Sequence, residues 1–299
     1  MIFHKPELRE REIVRAAAEA AGAAENDASF VNLYLLREKY GTEIAFAENM
    51  LLRRYHAGFR AGCYGFPLGG GALKPALQIL REDAAEQNLP FRLTLLTKAQ
   101  CAALEDAAPG QFTFSPVPDY TEYLYKRANL AELRGSRYHG KRNHIAQFWR
   151  GNPEAYIQPL IAENAQFAVE IAEKWLAARD NPQEPSLQYE LSCIKEAAAC
   201  WEQLSLSGLL LYARPEDAPI GMTVVSEISQ GIWDVHFEKV IPGQPHAWPV
   251  VANEIAKCLT AAEYLNREED LGEGGMRASK QSYRPDLLNE KYLAEWKDE

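Results

Sequence analysis

The stretch at residues 208–240 does most to limit the folds open to this chain. Three β-rich segments, GLLLYAR, GMTVVSEI and IWDVHFEKV, are divided only by the turn-forming runs PEDAP and SQG. Connections this short cannot hold a crossover helix, so the segments read as antiparallel neighbours in one sheet. Helical patterns bracket them. Residues 161–178 read as a long helix, and Leu187, Leu191, Ile194 and Trp201 mark a second amphipathic one. Beyond the strands come a helix over 250–262, a strand over 263–266, a helix over 276–283 and a closing segment over 287–296.

The first half has the same texture. Helices are expected over 6–22 and 29–41, each closing on a glycine. Three short strands follow within TEIAFAENMLLRRYHAGFRAGCYGFPLGG, with turns at Glu48-Asn49 and Ala57-Gly58. A helix over 74–88, a strand over 91–96, a helix over 98–107 and strands over 112–114 and 120–126 complete the half. No residue-level repeat is visible, but the element order recurs. The expectation is an α+β protein of two units, residues 1–135 and 136–299, each a mostly antiparallel mixed sheet flanked by helices.

A formal charge of −10 argues against generic nucleic-acid binding or an acidic membrane surface, though not against a local anion site. The five cysteines are scattered without a CxxC pair, which reads as reduced thiols in a reducing compartment. The start, MIFHKPELRERE, has no apolar signal core, and no window nears the roughly 20 apolar residues of a membrane span. The expected location is cytoplasmic, with no integral membrane segment.

Three further segments stand out: YHGKRNHIAQF (138–148), HFEK (236–239) and YLNREEDLGEGGMRASKQSY (264–283). Together they resemble an uncharacterised bacterial family related to the catalytic domain of phosphatidylglycerol lysyltransferase, and ASFVNLYLLREKYG is family-like as well. The resemblance implies two fused folds of the Gcn5-related N-acetyltransferase (GNAT) type. It implies an acyl- or aminoacyl-transferase acting on an amine or hydroxyl acceptor, a small molecule or a lipid headgroup. No covalently bound cofactor is expected; the donor is an acyl-CoA or an aminoacyl-tRNA.

Candidate chemistry gathers on the same segments. Strict alternation along residues 232–240 would put Asp234, His236 and Glu238 on one face and Trp233, Val235 and Phe237 on the other. In acyltransferases of the suggested fold a carboxylate on this strand deprotonates the acceptor, so the resemblance implies Glu238 or His236 as base. The plainer reading is a solvated strand face. No metal site is expected, because no further Cys or His stands near at ligand spacing. Residues 134–150 carry five Lys or Arg and two His with no acid. Within them Lys141, Arg142, Asn143 and His144 are the expected anion-binding group for a cofactor phosphate or a tRNA 3′ end, against the plainer reading of a solvated linker. In the last segment Arg277, Lys280 and Arg284 share one helix face. By position, the resemblance makes Tyr283 the proton donor and Asn266 a donor-binding residue, with Arg277 and Lys280 beside them; alternatively Tyr283 is core and the acids of the turn are solvated.

The pattern departs from acetyl-CoA-dependent relatives in one place. Their pyrophosphate loop follows the central strand, where this chain has IPGQPHAWPV, with prolines at 242, 245 and 249 that remove backbone donors. Gly69, Gly70 and Gly71 offer a glycine run elsewhere, more often a tight turn than a phosphate site. The rival from another class is a non-catalytic binding or regulatory protein of the same fold. A hydrolase lacks both GxSxG and a Cys–His pair.

Overall fold

The computed structural model describes residues 2–297. The chain opens with helices α1 (Arg11–Ala20), α2 (Phe30–Leu35) and α3 (Arg37–Tyr40). Helix α1 buries Val14 and Ala18, four apart on one face. Strands β1 (Thr42–Ala47) and β2 (Met50–Tyr55) form a hairpin whose turn residues Glu48 and Asn49 both take positive φ, 53° and 63°. That is the two-residue turn matching the twist of the strands. Then come β3 (Cys63–Tyr64), β4 (Leu68–Gly69), α4 (Leu73–Glu86), β5 (Arg92–Leu96), α5 (Lys98–Ala107), β6 (Phe112–Pro116) and β7 (Glu122–Lys126). Thr97 and Gln100 close a capping box at the start of α5. The glycine run has a steric reason: a Cβ on Gly71 would lie 1.9 Å from the Glu48 carbonyl oxygen, in the turn of the hairpin.

The second half comprises α6 (Arg127–Glu132), α7 (His139–Gly151), β8 (Tyr156–Leu160), α8 (Gln166–Ala177), α9 (Pro185–Ala199), β9 (Ser207–Tyr212), β10 (Gly221–Ser229) and β11 (Ile232–Val240). Helix α10 (Ala247–Cys258), β12 (Tyr264–Asn266), α11 (Gly274–Ser282), β13 (Leu287–Asn289) and β14 (Tyr292–Trp296) finish it. The three strands expected from residues 208–240 are β9, β10 and β11, paired antiparallel as read.

Two mixed seven-stranded sheets result, both flanked by helices, which is the α+β architecture the resemblance implies. The first runs β1-β2-β3-β5-β14-β6 with β4 beside β2, and the second runs β13-β7-β12-β11-β10-β9-β8. The sheets do not follow the division expected at residue 135. Strand β7 lies in the second sheet, and the chain's last strand, β14, lies between β5 and β6 in the first. The parallel pairs are β3 with β5 and β11 with β12.

The second sheet is covered on both faces, so β10 is buried along nearly its whole length rather than alternately. One face packs on α6, α7 and α10 through Leu130, Phe148, Val250 and Ile255. The other packs on α8 and α9, and also on α1 and α2 from the start of the chain, through Val14, Phe30, Leu33, Ile171 and Ile194. These will be called the α7 face and the α2 face. The N-terminal helices therefore belong to the core of the second sheet. All five cysteines are unpaired. Among the described residues no helix is long and apolar enough to cross a membrane.

Candidate functional site

Strand β11 does not alternate as a regular strand would. Its ladder with β10 pairs Val224 with Phe237 and Val225 with Val235, leaving His236 opposite no residue. That is a β-bulge, which adds one residue to one strand and shifts the side-chain parity beyond it. Asp234 and His236 thus point to the α2 face, while Glu238 points to the α7 face. The expectation that the three share a face is corrected by this one extra residue.

On the α2 face, Asn32 of α2 sits among the groups of β11. Its Nδ2 donates to Asp234 Oδ2 and to Glu268 Oε1, both at 3.0 Å, and its Oδ1 lies 3.1 Å from His236 Nδ1. A carbonyl oxygen can only accept, so Nδ1 carries the proton and Nε2 accepts from the Ser226 hydroxyl at 2.7 Å. Burial lowers the His236 pKa to about 3, which keeps the imidazole neutral. Burial and the neighbouring Glu269 raise Glu268 to about 8; burial and Glu268 raise Asp234 well above the ordinary carboxylate range. A cavity of about 40 Å³ adjoins this cluster, bounded by Asn26, Asp27, Arg60, Glu268 and Glu269. Deeper in, Glu122 and Lys291 form an ion pair at 2.7 Å with each side chain 1% exposed. Asn26, Asn266 and Asn289 also donate to Glu122.

On the α7 face, three separate segments meet. Arg267, next after β12, donates through Nη2 to Glu238 Oε1 at 2.7 Å, and its guanidinium lies 4.8 Å from the Tyr283 ring centroid. Lys141 of α7 places Nζ 3.6 Å from the centroid of the same ring. Glu238 Oε2, Arg267 Nη1 and Thr223 Oγ1 (directly across the ladder from Glu238) are buried with no protein partner. Burial and the positive Arg267 lower Lys141 to about 8. Burial raises Tyr283 above the ordinary phenol range, so its hydroxyl stays protonated. The arrangement offers two cationic groups, a proton donor and a carboxylate around unsatisfied polar atoms. Such atoms mark where a ligand would bind.

The remaining expected residues are dispersed. Asn266 is fully buried on the α2 side, donating to Glu122 Oε2 and to the Ala24 carbonyl at 2.9 Å each. Arg142 donates to the carbonyls of Leu133 and Gly135, tying down the segment before α7. Asn143 is exposed on α7, and His144 stacks on His246, their Nδ1 atoms 2.7 Å apart. Arg277 grips Asp270 with two hydrogen bonds of 2.8 Å, and Lys280 donates to the Arg267 and Glu269 carbonyls. These last two hold the turn 267–273, sending Arg267 to one face and Glu268 to the other. Sequence reasoning did not single out Asn32, Ser226, Glu122, Arg267 or Glu268. For Arg267 and Glu268 the signal was available, since both lie inside the family-like segment.

A profile of the family described as "Phosphatidylglycerol lysyltransferase, C-terminal" matches residues 19–295. A conserved protein of unknown function from Bacteroides thetaiotaomicron is 30% identical, with a TM-score of 0.94 over 99% of this chain and 100% of that one. The L-PGS of Bacillus licheniformis shares the fold at 13% identity, with a TM-score of 0.68 over 100% of this chain and 95% of that one. The DUF2156 C-terminal domain of a candidate lysylphosphatidylglycerol synthetase from Agrobacterium fabrum does so at 13% identity, TM-score 0.64, over 97% and 92%. No curated protein matches the chain.

Proposed function

The chain belongs to the phosphatidylglycerol lysyltransferase C-terminal family, and from that premise we propose that it transfers an aminoacyl group from an aminoacyl-tRNA to an amine or hydroxyl acceptor at the α7 face of the second sheet. One observation carries the reading. Lys141, Glu238 and the Arg267/Tyr283 pair come from three segments far apart in sequence, yet they converge on one cluster with unsatisfied buried polar atoms. In the reaction, Glu238 takes the proton of the acceptor as its nitrogen or oxygen attacks the ester carbonyl. Arg267 and Lys141 offset the charge that develops on the carbonyl oxygen. The ester C–O bond then breaks, and Tyr283 gives its proton to the departing 3′ oxygen. The activated ester supplies the driving force, so positioning is most of the protein's work.

An aminoacyl-tRNA suits this site better than a thioester. The segment after β11 keeps its prolines at 242 and 245, and Pro249 occupies the first turn of α10, so backbone donors for a pyrophosphate are few. The acceptor is read as a small molecule or a lipid headgroup, and the setting as cytoplasmic, consistent with five unpaired cysteines. The test is transfer of a labelled amino acid from charged tRNA to phosphatidylglycerol vesicles or to hydroxylamine, with acetyl-CoA run in parallel. Label leaving the tRNA well above the protein-free rate, and much more slowly with Glu238→Gln than with the unaltered chain, is the expected result. If no charged tRNA is discharged, or Glu238→Gln matches the unaltered chain, the proposal fails and a non-catalytic binding role takes its place.

A further inference from the structure

The α2 face carries a second constellation, which the proposed transfer does not use. Asp234, His236 and Glu268 each offer one ligand atom, and these atoms all lie within 4.8 Å of one another. His236 Nδ1 is 3.6 Å from Asp234 Oδ2 and 3.9 Å from Glu268 Oε1. The Asn32 amide lies between them, within 3.1 Å of all three donor atoms. We propose that these four side chains form a binding site for one divalent first-row transition cation of the Zn²⁺ or Co²⁺ kind.

Four observations support it. The donor set, one imidazole nitrogen, two carboxylates and an amide oxygen, suits such ions. Ligands on a tetrahedral ion with bonds of about 2.0–2.1 Å stand roughly 3.3 Å apart, so the two separations from His236 Nδ1, 3.6 and 3.9 Å, are near that spacing, and the set, within 4.8 Å overall, would draw in around an ion. The Asn32 amide now donates to both carboxylates; a half-turn about its last side-chain bond would present its oxygen instead. Ser226, 2.7 Å from His236 Nε2, can accept as readily as donate. It therefore permits the tautomer that frees Nδ1 for a metal, the outer-shell arrangement that orients ligating histidines.

The site also has an unmet need. Asp234 is 0% exposed, and its Oδ1 has no partner. Two carboxylates share this enclosed space with an imidazole and an amide, none of which brings positive charge. The Lys280 ammonium is already committed to the carbonyls of Arg267 and Glu269. A divalent cation would displace the protons of the two carboxyl groups and give Asp234 Oδ1 the partner it lacks. The bulge in β11 leaves Asp234 and His236 side by side on this face and sends Glu238 to the other, so the cluster is separate from the α7 face. No ligand lies on the α7 face, so this inference stands or falls apart from the proposed transfer.

The test is Co²⁺ titration of the metal-stripped full chain, followed by absorbance. The proposal expects one equivalent bound, with visible bands of nitrogen and oxygen ligation and no thiolate charge-transfer band. That last feature separates the site from the five cysteines. Glu268→Gln and Asp234→Asn should each weaken binding at least about tenfold, and Ser226→Ala about tenfold through the lost outer-shell contact. Glu273→Gln, an exposed acid six residues along from the loop's start, should change nothing. Circular dichroism confirms that each variant is folded. An absent cobalt band, a thiolate band, or unaltered binding in folded Glu268→Gln overturns the proposal.

Discussion

The two faces of β11 are built from similar side chains and are satisfied very differently. On the α2 face most polar groups are partnered to one another: Asn32 bridges Asp234, His236 and Glu268, and Glu122 pairs with Lys291 and takes bonds from three asparagines, with Asp234 Oδ1 left without a partner. On the α7 face Glu238 and Arg267 meet through one hydrogen bond, and each keeps a buried atom without a partner. Buried charge is stable when its hydrogen bonds are complete and costly when they are not. The first face therefore reads mainly as a polar core that joins the N-terminal helices to the second sheet. The second reads as a site prepared for something absent from the protein itself.

The largest effect is expected on the α2 face. Lys291→Met removes the partner of a carboxylate with no access to water, and should cost about 3–5 kcal/mol in urea unfolding. A loss below about 1 kcal/mol would mean that the network is not structural and would erase the contrast. Next comes Glu238→Gln, which keeps a hydrogen-bond acceptor for Arg267 but cannot take a proton. Transfer should fall by about 100-fold or more while stability shifts by about 1 kcal/mol or less. If instead stability collapses with turnover preserved, the α7 face is structural like its counterpart.

Tyr283→Phe should lower the same rate by roughly tenfold, less than the loss of the base, with the packed ring and its cation contacts retained. The mildest perturbation is pH. Because burial and Arg267 both favour the uncharged amine, Lys141 should react with an amine-directed acylating reagent with an inflection near pH 8, as followed by peptide mass analysis. Below that pH it is charged and unreactive. Arg267→Gln should move the inflection upward, toward that of an ordinary lysine. An inflection that stays put would show that the two cations do not sense each other.

Much of the fold was legible from residue patterns. The 208–240 hairpins, the α5 segment and the helix ending at Gly41 stand where periodicity and turn chemistry put them, because those signals are local. Site location was partly legible too. The three family-like segments do meet, but through Arg267, which looked like one charge in an acidic turn. Its role depends on Lys280 and Arg277 holding that turn from behind, which is a long-range matter.

The sequence by itself determined the elements, their repeated order and the antiparallel run of β9 to β11. Local propensity and short connections suffice for that. Only the tertiary structure decided which side of the sheet each polar group serves. Side-chain parity depends on counting residues against a partner strand, and the extra residue at His236 is visible only once β11 is laid beside β10. The same holds for the exchange of β7 and β14 between sheets, which rests on edge pairing and burial across the whole chain.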